Sequence, residues 1–92
     1  MDKLQQARIL INDIDREIAH LFEKRLQAVE MVAEYKKEHA MEIFDTKREE
    51  ALLKQNSAYI QNKNYLIYYQ QFQKHMMNLS KSFQKDLLNK EE

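Results

Sequence analysis

A chain of 92 residues has length for one domain, expected here to span 1–92, and the lack of cysteine excludes disulfides and thiolate metal sites. Neither Gly nor Pro occurs, which argues against strands joined by tight turns, while Glu, Lys, Gln, Leu, Ala and Met favour helices, so the expected fold is all-α. The 15 basic and 15 acidic side chains cancel, leaving no overall basic field to attract nucleic acid.

A first helix is predicted from about residue 4 to about residue 38. Its mark is the apolar series Leu4, Ala7, Ile11, Ile14, Ile18, Leu21, Ala28 and Val32, spaced by threes and fours with one gap. Such a helix is roughly 50 Å long. The periodicity lapses over His39-Ala40-Met41-Glu42-Ile43-Phe44, where the break is expected. Thr46-Lys47-Arg48-Glu49 fits a capping box that opens a second helix, with Asp45 as the alternative cap. This helix should run through Ala51, Leu52 and Leu53 to about Ile60. Asn62-Lys63-Asn64 is the next turn signal, since Asn tolerates the left-handed conformation that Gly would otherwise supply. A third helix then carries Tyr65, Tyr69, Phe72, Met76, Leu79, Phe83 and Leu87 at helical spacing. Lys90-Glu91-Glu92 is compatible with a natural end, and equally with a chain cut from a larger fusion.

Lengths suggest an assembly. The second and third helices would span roughly 22 and 36 Å, so neither alone covers the first. A small domain with a marginal core and no staples commonly self-associates. An antiparallel copy of the same long helix is the simplest cover, and the expectation is a C2 homodimer. The polar opening Met1-Asp2-Lys3-Leu4-Gln5-Gln6 lacks the apolar stretch of a signal peptide, and no run of about 18 apolar residues occurs, so the expected location is cytoplasmic and without membrane.

Arg25 is the informative charge. In heptads from Leu4, one column of the seam reads Leu4, Ile11, Ile18, Arg25, Val32. A buried guanidinium needs an anionic partner or costs several kcal/mol. Arg25 could snorkel to water, pair with an internal acid, or fix helix register. Lys36, 11 residues further on, points to nearly the same side of the helix. Arg8 lies 17 residues before Arg25, about 25 Å along the axis, too far for one small ligand to touch both. A ligand could touch Arg25 of one chain and Arg8 of an antiparallel partner.

These residues resemble the all-helical type of chorismate mutase, found as short free-standing chains and fused to prephenate dehydratase. The resemblance covers nearly the whole chain. It rests on Arg8 ahead of Ile14-Asp15-Arg16-Glu17, on Glu23-Lys24-Arg25, on Tyr35-Lys36-Lys37, on Asp45-Thr46-Lys47-Arg48-Glu49-Glu50, which is similar to the family's D-x-x-R-E, and on Ser80-Lys81-Ser82-Phe83-Gln84.

The resemblance implies a Claisen rearrangement of chorismate to prephenate, a step of aromatic amino acid (Phe/Tyr) biosynthesis, with no cofactor and no metal. Such a pericyclic step asks the protein only to hold one conformer and to stabilise charge as the C–O bond breaks. It further implies that Arg25 and the partner subunit's Arg8 each clamp a carboxylate, a task suited to the guanidinium fork. Lys36 and Gln84 would donate to the ether oxygen. Glu49 would accept from the substrate hydroxyl, with the backbone near Asp45 and Arg48 close by, and Ser80 would bind a carboxylate.

Plainer readings stand beside each assignment. Glu49 fits a capping-box acid, Asp45 a cap, and Arg48 a partner for an acidic neighbour. Ser80 and Gln84 fit a solvated face of the third helix. His20, His39 and His75 show no partner pattern and read as surface or boundary residues, while Tyr65, Tyr68 and Tyr69 most simply pack against the other helices. Two other functions compete: an isochorismate-pyruvate lyase of the same architecture, and a non-catalytic helical dimerisation module.

Overall fold

Asp2 starts the first helix. Its carboxylate accepts from the Gln5 amide at 2.8 Å, and the Gln5 side chain accepts from the Asp2 amide at 3.4 Å. This reciprocal capping box satisfies two amide donors that would otherwise lack partners. In the computed structural model, which describes residues 1–89, the helix so begun, α1, spans Lys3–Glu38. Helix α2 follows at Thr46–Ser57, and a single 3-10 turn at Lys63–Tyr65 leads into α3, Leu66–Asn89. No strand occurs among the described residues, as the missing glycine and proline predict. Lys90, Glu91 and Glu92, where either a natural end or a cut from a fusion is open, lie outside the described residues.

The end of α1 is built without the usual glycine. Ala40 takes a positive φ of 51°, the left-handed region in which a Cβ costs about 1–2 kcal/mol. Around it, the Met41 amide donates to Lys36 O at 2.7 Å and the Ala40 amide to Lys37 O at 3.3 Å. That is the Schellman pattern, which satisfies the last carbonyls of the helix. His39, read above as a surface or boundary residue, is exposed; it stacks on Tyr35 at 3.9 Å, and its Nδ1 donates to Tyr35 O at 2.9 Å.

Of the two candidate caps for α2, Asp45 is the one used: its carboxylate accepts from the Arg48 amide at 3.0 Å. The helix stops at Ser57, three residues before the expected end, because Tyr59 and Ile60 turn back onto Asn56 O and Ser57 O. Asn62 works as a cap rather than as a left-handed residue. Its φ is −87° and its side chain accepts from the Asn64 amide at 2.9 Å.

Helix α3 is the common platform. It packs against α1 and against α2, while α1 and α2 bring no Cα pair within 8 Å of each other. Val29 and Ala33 of α1 and Met77 of α3 are the buried apolar residues of a small core. The buried line of α3 is Gln73, Met77, Ser80 and Gln84, three of them polar. Gln73 is satisfied there: it accepts from Asn56 of α2 at 3.0 Å and donates to the Tyr69 hydroxyl at 2.8 Å. Contrary to the packing expected of the tyrosines, Tyr65 and Tyr68 are 63% and 69% exposed.

Residues 3–24 of α1 are all exposed. The apolar series there includes Leu4, Ile11, Ile14, Ile18 and Leu21, which are 47–62% exposed. The longest dimension of the chain is 55 Å, about what 36 helical residues reach at 1.5 Å each. No helix among the described residues is long and apolar enough to cross a membrane.

Candidate active site

Each helix contributes one stripe to a cleft of about 350 Å³. From α1 come Arg25, Ala28, Val29, Val32 and Lys36; from α2 and its cap come Asp45, Arg48, Glu49, Leu52 and Asn56. The two sets share the offsets 0, 3, 4, 7 and 11, which is what one face of a 3.6-residue helix looks like. Met77, Ser80, Lys81 and Gln84 repeat the beginning of that series on α3, and Ile43 closes the cleft from the loop. A volume of this order lies within the range of small-molecule sites.

The charge balance of the cleft differs from that of the chain. Four cations, Arg25, Lys36, Arg48 and Lys81, face two carboxylates, Asp45 and Glu49. A protein of zero formal net charge thus concentrates a surplus of two positive charges in one depression. Such focusing favours a guest with two negative charges.

Hydrogen bonding leaves Arg25 and Lys36 with donors to spare. Arg25 Nη1 donates to the Ser80 hydroxyl, which donates in turn to Met76 O at 2.9 Å. The arginine is therefore oriented by a neutral group and keeps further N–H donors. Lys36 Nζ donates to Ile43 O at 2.9 Å, which ties the loop after α1 back onto the helix and leaves two ammonium hydrogens. Asp45 is committed to the Arg48 amide as a cap. Glu49 pairs with Lys81 at 2.9 Å, which sets aside the capping-box reading of its carboxylate. Among the described residues, no ion pair reaches Arg25, Lys36 or Arg48.

Gln84 is the other unusual group. It is only 6% exposed, and its Oε1 is buried without a hydrogen-bond partner. An unsatisfied buried polar group costs about 1–3 kcal/mol, so its retention asks for a reason such as a ligand.

Of the residues singled out from sequence, Arg25, Lys36, Asp45, Arg48, Glu49, Ser80 and Gln84 all line this cleft. Arg8 does not; it lies exposed on the first half of α1. Ser80 and Gln84 are buried rather than on a solvated face, because α3 turns its polar line inward. Sequence reasoning passed over Lys81, Met77 and Asn56. For Lys81 a signal existed: it sits three residues before Gln84, hence on the same side of α3.

Residues 7–85 match the family described as Chorismate mutase type II, a span that includes every cleft residue named above and Arg8. The chain belongs to the type II chorismate mutase family. Among curated proteins, the T-protein of Haemophilus influenzae is 40% identical over 53 residues, which is 58% of this chain and 14% of that protein. The chain thus spans a small part of the curated relative's length. No solved structure matches the chain significantly. Within the family frame, the D-x-x-R-E stretch is Asp45, Arg48 and Glu49: a cap, a rim cation and an acid that reaches across to α3.

Proposed function

We propose that the chain is a chorismate mutase that converts chorismate to prephenate as a homodimer, each site being completed by Arg8 of the partner. The observation that carries this reading is the pairing of Arg25 and Lys36 with neutral partners only, in a cleft with two surplus positive charges.

The chemistry follows from what each group has left to offer. Arg25, held by Ser80, presents the rest of its fork to one carboxylate of the substrate. The partner's Arg8 supplies the second clamp; the exposed apolar stripe of α1 from Leu4 to Leu21 supports an antiparallel copy as its source. Lys36 and the Gln84 amide donate to the ether oxygen, where negative charge grows as the C–O bond lengthens. Glu49 keeps one oxygen free of Lys81 and accepts there from the ring hydroxyl. No nucleophile and no proton transfer is needed, since bond breaking and bond making occur in one pericyclic step. A rate gain of about 10⁶ corresponds to roughly 8 kcal/mol, divided between holding the reactive conformer and stabilising the oxygen.

The test is depletion of chorismate by the purified chain with identification of the product. Prephenate is the expected product. Activity confined to isochorismate, with release of pyruvate, would reassign the site to the lyase reaction. A chain inert toward both substrates and unable to bind a dicarboxylate would leave a helical dimerisation module.

A further inference from the structure

Lys81, like Arg48, is a cleft cation to which the reaction above gives no task. Its ammonium is fixed from two sides. It lies 2.9 Å from Glu49 Oε1 on α2, with side chains 21% and 23% exposed, and 4.4 Å from the centre of the Phe44 ring in the loop. Partial shielding and two partners make such a contact more persistent than a free surface pair.

The significance lies in what Glu49 would otherwise do. A carboxylate on a flexible stem shares this cleft with Arg25, Lys36 and Arg48. Guanidinium and carboxylate pair readily through two parallel hydrogen bonds. An internal pair of that kind would occupy the fork that an anionic guest requires. It does not form: Arg25 holds a hydroxyl, Lys36 holds a carbonyl, and Asp45 is turned onto a backbone amide.

We propose that Lys81 is a positioning residue which, by holding one oxygen of Glu49, keeps that carboxylate off the cationic clamps and leaves its second oxygen for the guest's hydroxyl. This rests on the reading of the cleft as the site for a hydroxylated dicarboxylate. Lys81 then sets specificity through its neighbour, because it makes the hydroxyl acceptor and the carboxylate clamps available at the same time.

The experiment is a double-mutant cycle on the full chain, read by calorimetric affinity for a bicyclic dicarboxylate analogue of the transition state and by KM and kcat for chorismate. Lys81→Met is expected to weaken the analogue about tenfold and to raise KM more than it lowers kcat. Lys81→Arg, which restores a cation, should stay within about threefold of wild type. In a Glu49→Gln background, where no carboxylate competes, the cost of Lys81→Met should shrink to less than about threefold. An equal cost in both backgrounds would mean that Lys81 acts on the guest directly, and no cost in either would mean that it has no role; both results overturn the proposal. Should Lys81→Met unfold by circular dichroism, Lys81→Gln carries the same prediction. A wild-type chain that neither binds the analogue nor consumes chorismate refutes the proposed function itself. That outcome is distinct from a wild type that does both while the cycle shows no coupling.

Discussion

The two halves of α1 carry the same apolar rhythm and meet different fates. Up to residue 24 every position is exposed, whereas from Arg25 onward the helix lies on α3 and provides Val29 and Ala33 to the core. Periodicity reports that a face is to be covered and is silent about what covers it. The second half is covered by its own chain and holds the inward cations Arg25 and Lys36; the first half holds Arg8 and is left for another surface.

The sharpest way to break the comparison is Arg25→Ala. Loss of the inward clamp is expected to lower kcat/KM by at least about 10³-fold while the helical circular dichroism spectrum survives. If the fold collapses instead, Arg25 serves register in the seam, and the second half is structural like the first. Next in size is Gln84→Glu, on the part of α3 that borders the cleft. A carboxyl donates only when protonated, so activity should persist at acidic pH and fall about 100-fold near neutrality. A pH profile unchanged by that substitution removes Gln84 from the ether oxygen.

Complementation addresses the first half. Arg8→Ala and Arg25→Ala chains, each impaired alone, should regain roughly a quarter of wild-type turnover when refolded together, since half the dimers are mixed and each mixed dimer holds one intact site. Without recovery, Arg8 does not act across an interface. The smallest effect belongs to the point where α1 ends. Ala40→Gly should stabilise the chain by about 1 kcal/mol, raising Tm by about 4–8 °C at fixed protein concentration, because the left-handed φ then carries no Cβ penalty. An unchanged Tm would mean that the Schellman hydrogen bonds do not hold residue 40 in that region in solution.

What the sequence made legible was whatever helical spacing encodes. The long first helix, the break after Glu38, and the alignment of Arg25 with Lys36 all follow from a 3.6-residue period, and the structure has each. Helical spacing alone did not reveal the buried line of α3, of which only the family resemblance picked out Ser80 and Gln84. Gln73, Ser80 and Gln84 recur at helical spacing, and a polar stripe of that kind ordinarily faces water, while the apolar series one position away draws the eye. Leu79 of that series is 53% exposed. Lys81 was missed because a lysine on a helix is a surface residue by default. The turn at Ala40 was placed by the lapse in rhythm alone, since nothing in an alanine announces a positive φ.

Because α1 and α2 rest on α3 without approaching each other, the girth of α3 side chains governs how far apart the two rims stand. Met77 belongs both to the core and to the floor of the cleft. Size tolerance and thermal robustness are therefore coupled through one unbranched thioether. Shortening it would admit bulkier guests and weaken the chain in the same stroke, so laboratory evolution toward larger molecules should recruit compensating changes around Val29 and Ala33 before it touches any charged group.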